Sequence, residues 1–161
     1  MKKEMSCGAV VYNIFDGKLK FLLIKHVNGK HWAFRKGHVE NSETKVETAL
    51  REIKEETGLD VELDDNFCKM VSYNVNPYIL KDVFYFVAKT KHKSDKISLQ
   101  EEEISEYGWF NFYEALSVLT FQNDKNVLIG AKVLFMMNWQ IILLIIIAFL
   151  KLALFSIMKC K

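Results

Sequence analysis

The sequence has few cysteines, little net charge and no repeats. Its three cysteines, Cys7, Cys68 and Cys160, lie far apart with no C-x-x-C pair, a spacing that indicates neither a disulfide framework nor a zinc site. Formal net charge is only +2, and Lys159 and Lys161 contribute part of the excess. No strongly basic surface for duplex nucleic acid is therefore expected, and small anionic ligands suit the composition better. The apolar run in MKKEMSCGAVVYN is too short for a signal peptide, which points to the reducing cytosol. No internal repeat or low-complexity tract is evident.

What is present suffices for one domain with a sizeable core, since the chain has 161 residues and half of them are apolar or aromatic. Cys7 to Ile14 reads as a strand, Asp16-Gly17 as a tight turn and Lys18 to Lys25 as the returning strand. A loop through Asn28-Gly29 and Trp32 leads to a helix, after which Val61 to Val75 and Asp82 to Ala88 carry strand patterns. KTKHKSDKISLQEEE reads as a polar connection, Tyr107 to Phe110 as a short strand, and Phe112 to Leu119 and Asn123 to Phe135 as helices. Strands, one helix, more strands and closing helices predict a layered α/β architecture with a mixed sheet between helices.

The helix after Trp32 carries the chemistry. From Thr44 to Thr57, Val46, Ala49, Leu50 and Ile53 share one apolar stripe. Thr44 with Glu47 fits a capping box, and Gly58 suits the left-handed position beyond the helix end. Beside the stripe Glu52 and Glu56 are i,i+4 neighbours, while Glu55 is paired at i,i+4 with Arg51. A like-charge pair of this kind costs roughly 0.2 to 0.5 kcal/mol. A divalent cation, which takes hard oxygen ligands, would remove the conflict, whereas a merely solvated acidic face would leave it.

The segment reads G, five residues, E, seven residues, R-E-I-x-E-E-x-G-L: Gly37, Glu43, Arg51, Glu52, Ile53, Glu55, Glu56, Gly58 and Leu59. At every defined position it resembles the Nudix hydrolase signature, and the resemblance extends to about Asn138. It implies an α/β/α sandwich with a mixed sheet. It also implies Mg²⁺, with Mn²⁺ as a substitute, held by Glu52, Glu55, Glu56 and the Gly37 carbonyl, with Arg51 orienting the carboxylates through Glu55 or Glu47. The family commonly places a further carboxylate, as ligand or general base, in a later loop; in LQEEEISEYGWF the resemblance favours Glu103, then Glu102, then Glu101.

CGAVVYN, W-x-x-x-K-G-H-V-E and Y-G-W-F look like the asymmetrical diadenosine tetraphosphate hydrolases within that family, which implies cleavage of diadenosine tetraphosphate to ATP and AMP. Nucleoside triphosphates, oxidised ones included, an RNA 5′-triphosphate, and a non-catalytic nucleotide-sensing role are the alternatives. The subfamily usually has proline where this chain has Arg35, a cation that either joins Lys36 in binding polyphosphate or faces water. Lys36 and Lys81 are expected to meet substrate phosphate, although Lys81 also reads as a solvated strand end. Tyr73 and Tyr107 are candidates to stack on adenine, or else pack in the core. His38 follows Gly37 as a site residue or a loop hydrogen-bonding group.

Beyond residue 138 the composition changes. Trp139 to Met158 is apolar apart from Gln140, Lys151 and Ser156, and as a helix would span about 30 Å, the hydrocarbon thickness of a bilayer. Favourable insertion of its apolar residues should outweigh roughly +3 kcal/mol for Lys151. Three readings stand: a membrane anchor on a domain of residues 1–138, a helix buried against the domain or in an oligomer, and a terminus altered by a shift of reading frame. Oligomeric state is not legible.

Overall fold

The computed structural model describes residues 1–28, 30–92, 97–98 and 103–159, excepting the side chains of 65, 138, 149 and 151–159. Strands β1 (Lys2–Phe15), β2 (Lys18–His26), β3 (Trp32–Ala33) and β4 (Arg35–His38) precede helix α1 (Lys45–Thr57). Strands β5 (Val61–Asn76), β6 (Ile79–Thr90) and β7 (Ile104–Phe110) follow, then helices α2 (Phe112–Val118) and α3 (Gln122–Lys159). The sheet runs β3-β2-β1-β6-β5, with β4 against β1 and β7 against β2. Pairing is parallel between β1 and β6 and antiparallel elsewhere, so the mixed sheet predicted from the element order is present.

Alternation along the central strands explains the layering, because successive side chains of a strand leave by opposite faces. Val10 of β1 and Val83, Tyr85 and Val87 of β6 meet Ala115 of α2 and Val127, Leu128 and Ala131 of α3. Their neighbours Cys7, Ala9, Val11, Phe86 and Ala88 meet Ala49 and Ile53 of α1 on the other face. Full burial of one such Val, Ile or Phe contributes about 1.5 to 3 kcal/mol, and these two rows hold α1 and α3 to opposite sides of the sheet. Helix α1 begins with the predicted capping box: Glu47 N donates to Thr44 Oγ1 at 3.2 Å and Thr44 N donates to Glu47 Oε2 at 2.8 Å. It ends at Gly58, whose φ of 69° is left-handed and whose N–H donates to the Lys54 carbonyl. Cys7 is fully buried, and burial pushes its thiol up to about 11, which makes it an idle thiol.

Several boundaries differ from expectation for topological reasons. Strand β1 reaches back to Lys2, and β6 starts at Ile79 rather than Asp82, because the two pair in parallel from Lys2↔Ile79 onward. Arg35–His38, expected as part of a loop, is a strand paired with Ser6–Ala9. The last strand starts at Ile104 rather than Tyr107, since β2 offers it partners as far as His26. The separate closing helix and apolar tail form one helix without a break at residue 138. Its first turns are buried in the core, whereas Met136, Met137, Trp139 and the side chains of 141–147 are exposed, Trp139 by 73%. Among the described side chains the tail is therefore not buried against its own domain: the helix has left the domain by Met136.

Candidate active site

The face of α1 that carries the carboxylates lies against β4. Glu52 and Glu56 are buried, with 7% and 3% of their surface exposed, while Glu55 is exposed. Gly37 of β4 makes the approach of Glu52 feasible: a Cβ at this position would lie 1.8 Å from Glu52 Cδ and 1.9 and 2.0 Å from its two oxygens. Any larger residue would collide with the carboxylate.

Arg51 ties the acidic groups together. Its Nε donates to Glu43 Oε1 at 2.7 Å, its Nη1 to Glu52 Oε1 at 2.8 Å and Glu55 Oε2 at 3.0 Å, and its Nη2 to the His38 carbonyl at 2.9 Å. The hydrogen bond from Arg51 holds the Glu43 carboxyl down at about 2. The pairing of Arg51 with Glu55 is thus present. Glu47, the alternative partner, is engaged in the helix cap, and Glu43 and Glu52, which helical spacing did not suggest, take its place.

Arg35 departs from both expectations for it. It neither faces water nor stands beside Lys36, because neighbours on a strand leave by opposite faces. Arg35, opposite Ala9, points to the α1 side with 9% exposure, and Lys36, opposite Gly8, to the α3 side. The Arg35 Nη2 atom contacts Glu56, lies 3.3 Å from Glu52 Oε2 and 3.6 Å from Glu103 Oε2. Burial lowers its pKa, and Glu52, Glu103 and Glu55 oppose that shift.

One cavity of about 870 Å³ joins this cluster to the rest of the candidate residues. It is lined by Lys36, His38, Tyr73 and Lys81 as well as Glu52, Glu55, Glu56 and Glu103. Lys81 Nζ is 3.4 Å from His38 Nε2, and Lys36 Nζ lies 5.9 Å from the centre of the Tyr85 ring. Tyr107 is not among the lining residues: it pairs with Ile24 and, two positions from Trp109, shares the α1-side face of β7, 44% exposed. Tyr73, by contrast, packs against the α3-side core. The structure therefore does not bring Tyr107 to the cavity that gathers the other candidates. Glu101 and Glu102 lie outside the described residues.

The cavity also contains residues that no sequence motif indicated: His26, His31, Phe121, Asn123 and Asp124. His26 and His31 stack at 4.6 Å, and burial lowers the His26 pKa to about 4. Tyr85 donates its hydroxyl to Asp124 Oδ1 at 2.9 Å, while Oδ2 is buried with no hydrogen-bond partner among the described residues. The signal available for Asp124 was its place in the first turn of α3, but a first-turn acid is ordinarily read as serving the helix dipole.

A model of the NUDIX domain matches residues 6–130. The chain belongs to the Nudix family. It is 32% identical over 133 residues to the asymmetrical bis(5′-nucleosyl)-tetraphosphatase of Sus scrofa, an alignment covering 76% of this chain and 89% of that protein. It is also 32% identical over 101 residues to the RNA pyrophosphohydrolase of Nitratiruptor, covering 56% of this chain and 64% of the relative. Among solved structures, a binary complex of the C. elegans Ap4A hydrolase superposes with a TM-score of 0.75 at 24% identity, covering 82% of this chain and 97% of that one. This last likeness is one of fold. The chain is a Nudix hydrolase acting on phosphoric anhydride bonds.

Nudix hydrolases generally use a divalent cation, and the residues at this site can be judged against that need. Among the described residues no three acidic, histidine or cysteine side chains close on one point; the guanidinium of Arg35 stands between Glu52, Glu56 and Glu103. The donors nevertheless suit a hard cation. Carboxylates supply acceptor oxygens only, Glu56 Oε2 is buried without a hydrogen-bond partner among the described residues, and Gly37 presents bare backbone beside Glu52.

Proposed function

We propose that this Nudix hydrolase cleaves dinucleoside polyphosphates in an Mg²⁺-dependent reaction, diadenosine tetraphosphate to ATP and AMP. The observation that carries this reading is the continuity of one cavity from the α1 carboxylates, past Lys36 and Lys81, to Tyr73, His31 and Phe121. Such a lining offers acceptors for a cation, ammonium groups for phosphate oxygens and flat rings for a base. The tetraphosphatase relative supports the same substrate class.

Glu52, Glu55, Glu56 and the Gly37 carbonyl would hold Mg²⁺, or Mn²⁺ in its place. The bound cation supplies charge for the phosphoryl oxygens and lowers the pKa of water. Arg51 fixes the angle of Glu52 and Glu55 through its hydrogen bonds to both. Glu103, whose side chain is 53% exposed at the cavity, would accept the proton of the attacking water. Lys36 and Lys81 would bind the polyphosphate, and the ring of Tyr73 would bear against adenine. His38 would hold the Lys81 end of the chain of phosphates.

The test is incubation of the protein with diadenosine tetraphosphate, nucleoside triphosphates, 8-oxo-dGTP and 5′-triphosphate RNA, with Mg²⁺ and ¹⁸O-labelled water. The expected result is ATP and AMP from diadenosine tetraphosphate, with label in one product, at a kcat/KM at least about tenfold above the other substrates. Pyrophosphate release from triphosphates or RNA as the preferred reaction would overturn the substrate assignment. Nucleotide binding without cleavage of any member would favour the sensing role.

We further propose that the exposed part of α3 is a membrane anchor for a cytoplasmic catalytic domain. The helix is long and apolar enough to cross a bilayer, and its side chains from Ile141 to Ile147 are exposed on every face of the helix. Full-length protein expressed in cells should stay with membranes through a 1 M salt wash and be released by detergent. Release by salt alone, or a detergent-free soluble oligomer, would reject the anchor.

A further inference from the structure

Arg35 is the residue that the catalytic reading leaves unexplained. It is a buried cation directed at the carboxylates of α1, and its position follows from strand parity rather than from a flexible loop. A single nitrogen, Nη2, faces Glu52, Glu56 and Glu103, whereas its Nε is buried with no hydrogen-bond partner among the described residues. Among the described residues the guanidinium is therefore held through Nη2 alone, unlike Arg51, whose Nε, Nη1 and Nη2 are all engaged. One-edge contact gives up the bidentate geometry that makes an arginine pair strong. A divalent cation on these oxygens would stand close to the Arg35 guanidinium, and like charges repel where water is scarce, so each weakens the other's hold on the carboxylates.

We propose that Arg35 is an internal counter-ion of the carboxylate cluster that must withdraw before a divalent cation loads, so that metal affinity is set by competition with the protein's own guanidinium. The inference rests on the metal-dependent reading above but concerns the chain's own residue. It assigns Arg35 a positioning role: it keeps Glu52 and Glu56 gathered when no metal is bound, and thereby raises the metal concentration at which the enzyme switches on.

The experiment is a titration of metal-free protein with Mn²⁺, following free Mn²⁺ by electron paramagnetic resonance, for the wild type, Arg35→Gln and Arg35→Lys. Thermal melts with and without Mn²⁺ accompany it. Arg35→Gln is expected to bind Mn²⁺ at least about tenfold more tightly, a change of about 1.4 kcal/mol, and to gain more in Tm on loading than the wild type does. Arg35→Lys, whose point charge reaches the cluster without the guanidinium's fork, should fall between them. Unchanged or weaker Mn²⁺ binding in Arg35→Gln overturns the proposal. If that variant does not fold, Arg35→Lys decides, with binding no tighter than wild type as the overturning result. A wild type that binds no Mn²⁺ would sink the metal-dependent function itself, a result distinct from equal affinities in wild type and variant.

Discussion

Glu56→Gln is expected to lower turnover at least about a hundredfold while leaving KM within a few-fold of the wild type. Glu56 is 3% exposed, its Oε1 contacts Arg35, and its Oε2 is buried without a hydrogen-bond partner among the described residues. An unmatched buried acceptor ordinarily costs about 1 to 3 kcal/mol, and a fold retains one where function needs it. The glutamine amide has nearly the same volume but brings two donors where only acceptors serve a cation. Loss of a metal or general-base function costs turnover in the range of two or more orders of magnitude. Steady-state kinetics with saturating Mg²⁺ measures it. The substitution takes one counter-charge from buried Arg35 but leaves it Glu52 and Glu103, so circular dichroism must accompany the kinetics to show that the variant is folded. Unchanged turnover would remove Glu56 from the mechanism.

How much of this was legible beforehand follows the range of the forces involved. Helix α1 could be read almost residue by residue, because its stripe, cap and terminal glycine are local features within one run of chain. The carboxylates were legible for the same reason: all three sit on that helix. Arg35 was not, since its direction depends on whether residues 35–38 form a strand, and that depends on pairing with Ser6–Ala9 some thirty positions away. The position of Tyr107 opposite Ile24, away from the residues that line the cavity, is likewise a matter of non-local pairing. Asp124 and Phe121 join the cavity only because α3 crosses the face of β6 that carries Tyr85, and no spacing rule connects positions so far apart. The apolar tail was legible as a helix from composition, but its continuity with the preceding core helix was not.

Gly37→Ala should reduce turnover on the order of a hundredfold in a protein that still folds, a combination that separates positioning from folding. The added Cβ would lie 1.8 Å from Glu52 Cδ, a separation that non-bonded atoms do not tolerate, so one of the two must move. Strand β4 cannot easily do so, since residues 35–38 are paired with β1 in register. The Glu52 side chain can, by rotating away from Arg51 and Arg35. The backbone would then survive, and the displaced group would be the carboxylate alone. A shift of about 1 Å in a catalytic group is enough to cost on the order of a hundredfold. The decisive measurement is a double-mutant cycle with Glu52→Gln. If alanine acts by pushing Glu52 aside, it should cost little in a background where Glu52 has already lost its charge, because two changes to one unit are strongly non-additive. Independent, additive losses would instead mean that Gly37 serves through its own backbone carbonyl, and the crowding of Glu52 would be incidental.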